Sequence, residues 1–258
     1  MKIVALLNNR LGLKTLEWLT NQSDEVIGLV VHPHERARLR DELIQTSTLP
    51  PERIFEAMQL GDPAALQRIG ALGADIAVSV MFGYILKPEF LAMFPDGCVN
   101  LHPALLPYNR GSHPNVWSIV DGTPAGTTLH YVDPGVDTGD IIAQQEVPIE
   151  PEDTGETLYR RLEKASLELF KVTWPLLSAR KAPRRAQPKN VGTAHRVSDV
   201  KSIDCIDLDR TYTARHLINV LRARTFPSYR GAYFLSEGKR IFMSLSLEAL
   251  PLEEEREQ

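Results

Sequence analysis

An amide and an imidazole stand two residues apart in Val99-Asn100-Leu101-His102-Pro103, and a carboxylate follows downstream in the turn Asp133-Pro134-Gly135-Val136-Asp137-Thr138-Gly139-Asp140. On an extended chain, residues i and i+2 point the same way, so Asn100 and His102 face one site. An imidazole beside a carboxylate is held in one tautomer and made more basic. A side-chain amide can donate to an oxygen that gains negative charge during acyl transfer. Asn100, His102 and Asp137 are therefore candidate catalytic residues for moving an acyl group without a serine or cysteine nucleophile, and no Gly-x-Ser-x-Gly motif is present. An isolated histidine at a strand end is more often structural. Here the neighbouring amide, the flanking prolines and the glycine-rich acidic turn reverse that balance.

These groups need a platform. The apolar run Cys98-Val99, entered through Asp96-Gly97, predicts a buried strand ending at His102, where Pro103 removes a ladder donor and Pro107 restricts the next turn. Upstream, Ile3 to Leu7, Val26 to Val31 and Ala74 to Val80 read as buried strands. Helical spacing appears at Leu13, Leu16, Trp18 and Leu19, in the charged stretch Arg36 to Ile44, and from Asp62-Pro63 to about Leu72. Strands alternating with helices predict a mainly parallel sheet with crossover helices, a Rossmann-like α/β core. Gly126 to Val132 and Ile141 to Ile149 extend that sheet. Ser112 is placed to cap a helix carrying Pro114, and Thr154 or Asp153 to cap a long helix, with Glu156 available for a capping box and a buried stripe at Leu158, Leu162, Leu169, Phe170 and Leu177. Residues 1–178 thus form the larger unit. The basic, proline-containing stretch 179–200, with Arg180, Lys181, Arg184, Arg185 and Lys189, reads as a solvated linker. Residues 201–258 form a small α+β subdomain with a helix around Ala214 to Ala223, a strand Arg240 to Leu247, and an acidic tail from Leu250 that frays.

The chain has 258 residues, 43% of them hydrophobic, enough for one full core and a small second one. A formal net charge of −4 argues against a nucleic-acid partner, whose phosphates need a basic surface. The first turn lacks G-x-G-x-x-G and the second strand ends in Val31-His32-Pro33 without an acidic residue, which counts against a nicotinamide cofactor. His32 and His34 lack a third ligand nearby, so no metal is expected. Cys98 and Cys205 fit a reducing compartment, no run is long and apolar enough for a bilayer, and no signal-peptide pattern follows Met1. A soluble, cytoplasmic protein is expected.

Asn-x-His-Pro-x-x-Leu-Pro followed by Asp-x-Gly-x-Asp-Thr-Gly-Asp resembles the formyltransferases that use N10-formyltetrahydrofolate, the group that includes methionyl-tRNA formyltransferases. The resemblance covers nearly the whole chain and is sharpest from Ala74 to Ile149. It implies formyl transfer to a primary amine by direct attack through a tetrahedral intermediate, with Asn100 donating to the formyl oxygen and either His102 as base, oriented by Asp137, or Asp137 itself taking the proton through water. Met81-Phe82-Gly83-Tyr84-Ile85 resembles the family's pterin-side loop, which with Asp133 implies the folate site. Arg110-Gly111 matches the loop beside the active site. The stretch His113-Pro114-Asn115-Val116-Trp117 looks like branches that formylate amino sugars or carrier-bound amino acids. The region 36–44 is short and not glycine-rich, unlike the basic loop of the tRNA enzymes, and 201–258 is similar to the reduced C-terminal subdomain of sugar N-formyltransferases. The implied acceptor is a nucleotide-linked amino deoxysugar, with Arg110, Asn115, Arg222 and Arg224 as substrate-binding residues, and the implied assembly is a homodimer. The alternative is methionyl-tRNA or an aminoacyl group on a carrier.

Overall fold

The computed structural model describes residues 1–188 and 190–251, so Lys189 of the basic run and the end of the acidic tail lie outside the described residues. The core is a seven-stranded sheet. Strand β1 (Lys2–Leu7) is followed by helix α1 (Asn9–Leu19), β2 (Glu25–Val31), α2 (Arg40–Ser47), β3 (Ile54–Glu56), α3 (Pro63–Gly70), β4 (Ile76–Val80), the short α4 (Pro88–Leu91) and β5 (Cys98–His102). After a two-residue strand β6 (Arg110–Gly111) come α5 (Pro114–Asp121), β7 (Gly126–Tyr131), β8 (Ile141–Glu146) and the long α6 (Gly155–Ser178). The order across the sheet is β3-β2-β1-β4-β5-β7-β8. The pairs from β3 to β5 are parallel, while β5–β7 and β7–β8 are antiparallel.

Strict alternation along the buried strands splits the core into two layers. Ile3, Ala5 and Leu7 of β1, with Ile76, Val78 and Val80 of β4, pack on the side of α1 and α6 among Leu11, Leu16, Phe170 and Trp174. Val4, Leu6 and Ala77 face the other layer with Phe55, Ile69, Phe90 and Phe94. On β5, Val99 and Leu101 join the first layer and Cys98 the second. Asn100 and His102 share the face of Cys98, and both line an open cleft where the strand ends.

Local expectations shift at helix ends, where caps compete with tertiary contacts. Helix α1 begins at Asn9, four residues before Leu13, directly after the chain leaves β1. The charged helix starts at Arg40, because residues 34–36 form a turn. Ser112 does not cap α5: its N–H donates to the carbonyl of His195, and His113 occupies the N-cap in the left-handed region (φ 58°) without a side-chain bond. Thr154 caps α6 as expected, but Thr157 rather than Glu156 closes the capping box. All five residues of the expected α6 stripe are buried.

Beyond α6, the chain passes through β9 (Ala194–His195), which pairs with β6, then α7 (Lys201–Asp204), α8 (Ala214–Ala223) and the hairpin β10 (Tyr233–Ser236)–β11 (Lys239–Phe242). The last expected strand therefore ends at Phe242 rather than Leu247. Ile206, Val220 and Ala232 make a small core of their own, with Val120 of α5 packed against it.

Candidate active site

A cleft of about 450 Å³ opens beyond the carboxyl ends of β4 and β5, lined by Met81–Leu86, Asn100, His102, His130, Asp133 and Asp137. Ligand sites in open α/β sheets fall at such strand ends. The three predicted catalytic residues converge there. Asp137 Oδ1 accepts from Asn100 Nδ2 at 3.3 Å, and its Oδ2 lies 3.7 Å from His102 Nε2 and accepts the Gly111 N–H at 2.8 Å. Asp137 adopts φ 53°, in the left-handed region, which aims its carboxylate back at β5. The turn is tight: a Cβ on Gly139 would meet the Tyr131 carbonyl at 1.9 Å.

Sequence reasoning missed the fourth member. His130 on β7 is 1% exposed and lies directly across the antiparallel ladder from Asn100. Its Nδ1 sits 2.8 Å from the Tyr131 carbonyl, and its Nε2 lies 3.2 Å from Asn100 Nδ2 and 3.5 Å from Asp137 Oδ1. A carbonyl can only accept, so Nδ1 carries the proton and the Nε2 of a neutral His130 accepts from the amide. Both hydrogens of Asn100 Nδ2 are then engaged, one with His130 and one with Asp137. The available signal was pairing register: once β5 and β7 are antiparallel, His130 must face the same side as Asn100.

The same logic fixes His102. Its Nε2 is 3.1 Å from the carbonyl of Asn109, so Nε2 is the protonated nitrogen; Nδ1 has no hydrogen-bond partner among the described residues. Asn109 is fully buried at φ 56°, with its Nδ2 donating to Ser118 and Thr123 and its N–H to Thr193. Burial alone would raise the Asp137 carboxyl, but the facing His102 and His130, each favouring the carboxylate when its ring is protonated, and the Gly111 N–H outweigh it and hold the pKa well below the usual carboxylate range.

The expected folate-side residues Met81, Phe82, Gly83, Tyr84 and Ile85 form one wall, and Asp133 lies on the cleft as well, its Oδ1 accepting from Gly135 N–H and Thr138 Oγ1. Phe82 and Tyr84 pack edge-on against His32 at 5.1 and 5.0 Å. Among the described residues, buried Tyr84 Oη and His32 Nε2 lack partners, and a Cβ on Gly83 would touch nothing within 4 Å. An apolar wall with open space beside a glycine backbone suits a flat heterocycle. Tyr159 of α6 also lines the cleft; its hydroxyl accepts from Asn9, and burial with the nearby Glu163 pushes its pKa up.

The proposed substrate-binding set separates. Asn115 lines the cleft, although its Nδ2 is held by the Gly155 carbonyl at 2.8 Å. Arg110 does not line it, because its guanidinium is bonded to Gln187. Arg222 is buried, its Nη1 donating to the carbonyls of Glu150, Pro151 and Asp153 before α6. Arg224 pairs with Asp204. Each of these arginines has a partner that holds it outside the cleft.

With this geometry in place, comparison with known proteins is decisive. Residues 5–172 match the formyl transferase family, and residues 199–249 match the N-formyltransferase dimerization C-terminal domain. The chain belongs to the formyltransferase family. It is 33% identical over 192 residues to a methionyl-tRNA formyltransferase of Syntrophus aciditrophicus, an alignment spanning 70% of this chain and 60% of the relative. The structure of a 4-N formyltransferase from Francisella tularensis superposes with a TM-score of 0.83 at 28% identity, covering 96% of this chain and 98% of that one. The formyltransferase PseJ of Anoxybacillus kamchatkensis, in complex with UDP-4,6-dideoxy-4-formamido-L-AltNAc and tetrahydrofolate, is 30% identical with a TM-score of 0.56, covering 78% of this chain and 89% of that one. Among the described residues of this formyltransferase no His, Cys, Asp or Glu cluster could hold a metal ion, and no helix is long and apolar enough to cross a membrane.

Proposed function

We propose that this formyltransferase transfers a formyl group from N10-formyltetrahydrofolate to the primary amine of a nucleotide-linked amino deoxysugar, with a 4-amino position favoured. The observation that carries the reading is the network of Asn100, His102, His130 and Asp137 at the mouth of a cleft with an apolar slot beside it. Bound in that slot between Met81–Ile85 and Asp133, the folate would supply a formyl group at an activated nitrogen. The protein's part is to hold the amine neutral and to move one proton. His102 Nδ1 takes the proton from the attacking amine while Nε2–H stays on the Asn109 carbonyl, and the nearby Asp137 carboxylate stabilises the imidazolium. Asn100 exchanges its bond to Asp137 for one to the formyl oxygen as negative charge develops there. When the tetrahedral intermediate collapses, the bond from the formyl carbon to the folate nitrogen breaks and His102 would return its proton to that departing nitrogen, leaving tetrahydrofolate and the formamide.

The acceptor class is supported by the 4-N relatives and by a C-terminal part of one short helix pair and a hairpin. A homodimer formed through residues 199–249 belongs to the same reading, supported by the dimerization-domain match and by exposed Leu235, Ile241 and Phe242 on the hairpin. A cytoplasmic location is consistent with the two unpaired cysteines. Formylation of methionyl-tRNA is the second reading, favoured by the Syntrophus relative. The two separate on binding: a tRNA acceptor gives affinity that falls steeply with salt, a nucleotide sugar gives thermal stabilisation that rises with its concentration. The test is a panel of nucleotide 4-amino and 3-amino deoxysugars with N10-formyltetrahydrofolate, read by mass spectrometry. A formamide product on one of them supports the proposal, and transfer to methionyl-tRNA alone overturns it.

A further inference from the structure

Gln187 sits in the stretch between α6 and the C-terminal part, far from every sequence motif, yet its side-chain hydrogen bonds among the described residues reach the loops of the active site. Its Nε2 donates to the carbonyls of Asp137 (2.8 Å) and Gly139 (2.9 Å), and its Oε1 accepts from Arg110 Nη2 (2.7 Å) and Nε (3.2 Å). The two loops it joins are those that fix the Asp137 carboxylate: one carries the residue, the other supplies the Gly111 N–H to Oδ2. The stretch is itself anchored on both sides of Gln187. Arg185 exchanges both backbone hydrogen bonds with Ile141 of β8, and downstream the carbonyls of Thr193 and His195 accept from the N–H groups of Arg110 and Ser112. Asp137 also keeps a left-handed backbone, which an L-residue holds only when its surroundings enforce it.

We propose that Gln187 is a positioning residue for formyl transfer: by bridging Arg110 to the Asp137 and Gly139 carbonyls it locks the Asp137 carboxylate between His102, His130 and the Gly111 N–H. The inference rests on the acyl-transfer reading of the site but not on which amine is formylated. The groups facing Asp137 are Asn100 and His102 from β5, His130 from β7 and the backbone of β6, with Arg110 reaching it through Gln187. A turn released by loss of Gln187 lets the carboxylate drift, and small misplacements of positioned groups cost rate more than binding.

Two variants of the full chain test this. Gln187→Met keeps length and removes every hydrogen bond; Gln187→Glu keeps the partner of Arg110 and removes both donors, so it retains an anchor for the fold. One readout needs no acceptor: the ring ¹⁵N and ¹H chemical shifts of histidine-labelled protein at a single neutral pH, which report the hydrogen bonds of each imidazole. In Gln187→Met the ring signals of His102 and His130 should shift, because both rings face the displaced carboxylate. In both variants, kcat with a nucleotide 4-amino deoxysugar should drop roughly 10- to 100-fold, with KM for N10-formyltetrahydrofolate little changed. A staple that only holds the linker down would lower Tm and leave the ring signals and kcat in place. Unchanged ring signals of both histidines in Gln187→Met, or wild-type kcat in a folded Gln187→Glu, overturn the proposal. If no amino sugar is formylated by the wild type, the acceptor reading fails while the ring signals still decide the role of Gln187.

Discussion

At the scale of residues, the site is a network in which each assigned donor meets an acceptor and His102 Nδ1 is left free among the described residues. Asn100 joins His130 to Asp137, and His102 is held by the Asn109 carbonyl with the acid 3.7 Å from the same nitrogen. Replacing His102 by Ala should lower kcat by about 10²- to 10⁴-fold, the range for positioned acid–base catalysis. Asn100→Ala should lower it by about 10²- to 10³-fold if the amide donates to the developing oxyanion, with KM nearly unchanged. Steady-state kinetics on the two variants checks both. The depressed pKa of Asp137 makes a stability prediction as well. A carboxyl whose folded pKa lies below its unfolded value adds stability that is present above the ordinary value of 3.8 and lost as pH falls through the folded pKa. Asp137→Asn should therefore be less stable than wild type at neutral pH in chemical denaturation, with the gap shrinking below pH 3.8. A gap that stays constant into strong acid would show that the carboxylate's charge contributes nothing. Asn100, His102 and Asp137 were legible because they are close in sequence to prolines and glycines that only a special backbone requires. His130 and Asn109 were not, since a histidine in a strand and an asparagine in a turn are ordinary until register and a left-handed backbone give them direction.

At the scale of elements, the parallel half of the sheet follows from continuous apolar runs, and those runs marked β1, β2, β4 and β5 in the sequence within a residue or two. Helix α6 was equally plain, because its stripe of Leu158, Leu162, Leu169, Phe170 and Leu177 repeats at helical spacing. Leu162→Ala should cost about 2–5 kcal/mol, and Thr154→Ala, which removes the cap, about 1 kcal/mol, both read from urea unfolding. Gly139→Ala should perturb the acidic turn and reduce kcat, since the added methyl cannot share space with the Tyr131 carbonyl. The stretch after α6 was the illegible element. Its arginines and prolines read as solvated chain, yet its backbone pairs with β8 and β6 and its Gln187 and Thr193 bond to the site's own loops. Nothing local in a polar segment reveals which carbonyls it will meet. The arginines expected to bind substrate lie outside the cleft lining for a related reason: charge can be read from sequence, but a partner such as Asp204 for Arg224 cannot.

At the scale of the whole molecule, the catalytic sheet and the small C-terminal part share the surface of α5, where Val120 packs against both clusters. The hairpin leaves Leu235, Ile241 and Phe242 exposed, an arrangement suited to covering by a second copy. Under the dimer proposal, Leu235→Lys with Phe242→Lys should halve the mass seen in sedimentation equilibrium; a monomeric wild type would remove that part. The central claim is that the imidazole of His102, poised by the Asn109 carbonyl and the Asp137 carboxylate, deprotonates an amine of a nucleotide amino sugar for formylation. The most direct measurement is single-turnover formyl transfer from N10-formyltetrahydrofolate to a nucleotide 4-amino deoxysugar by wild type and His102→Asn, compared across pH. The account predicts a formamide product from the wild type and a loss of at least about 10²-fold in the variant, recovered in part as alkaline pH deprotonates the amine without help. Equal rates for the two proteins at neutral pH would contradict it.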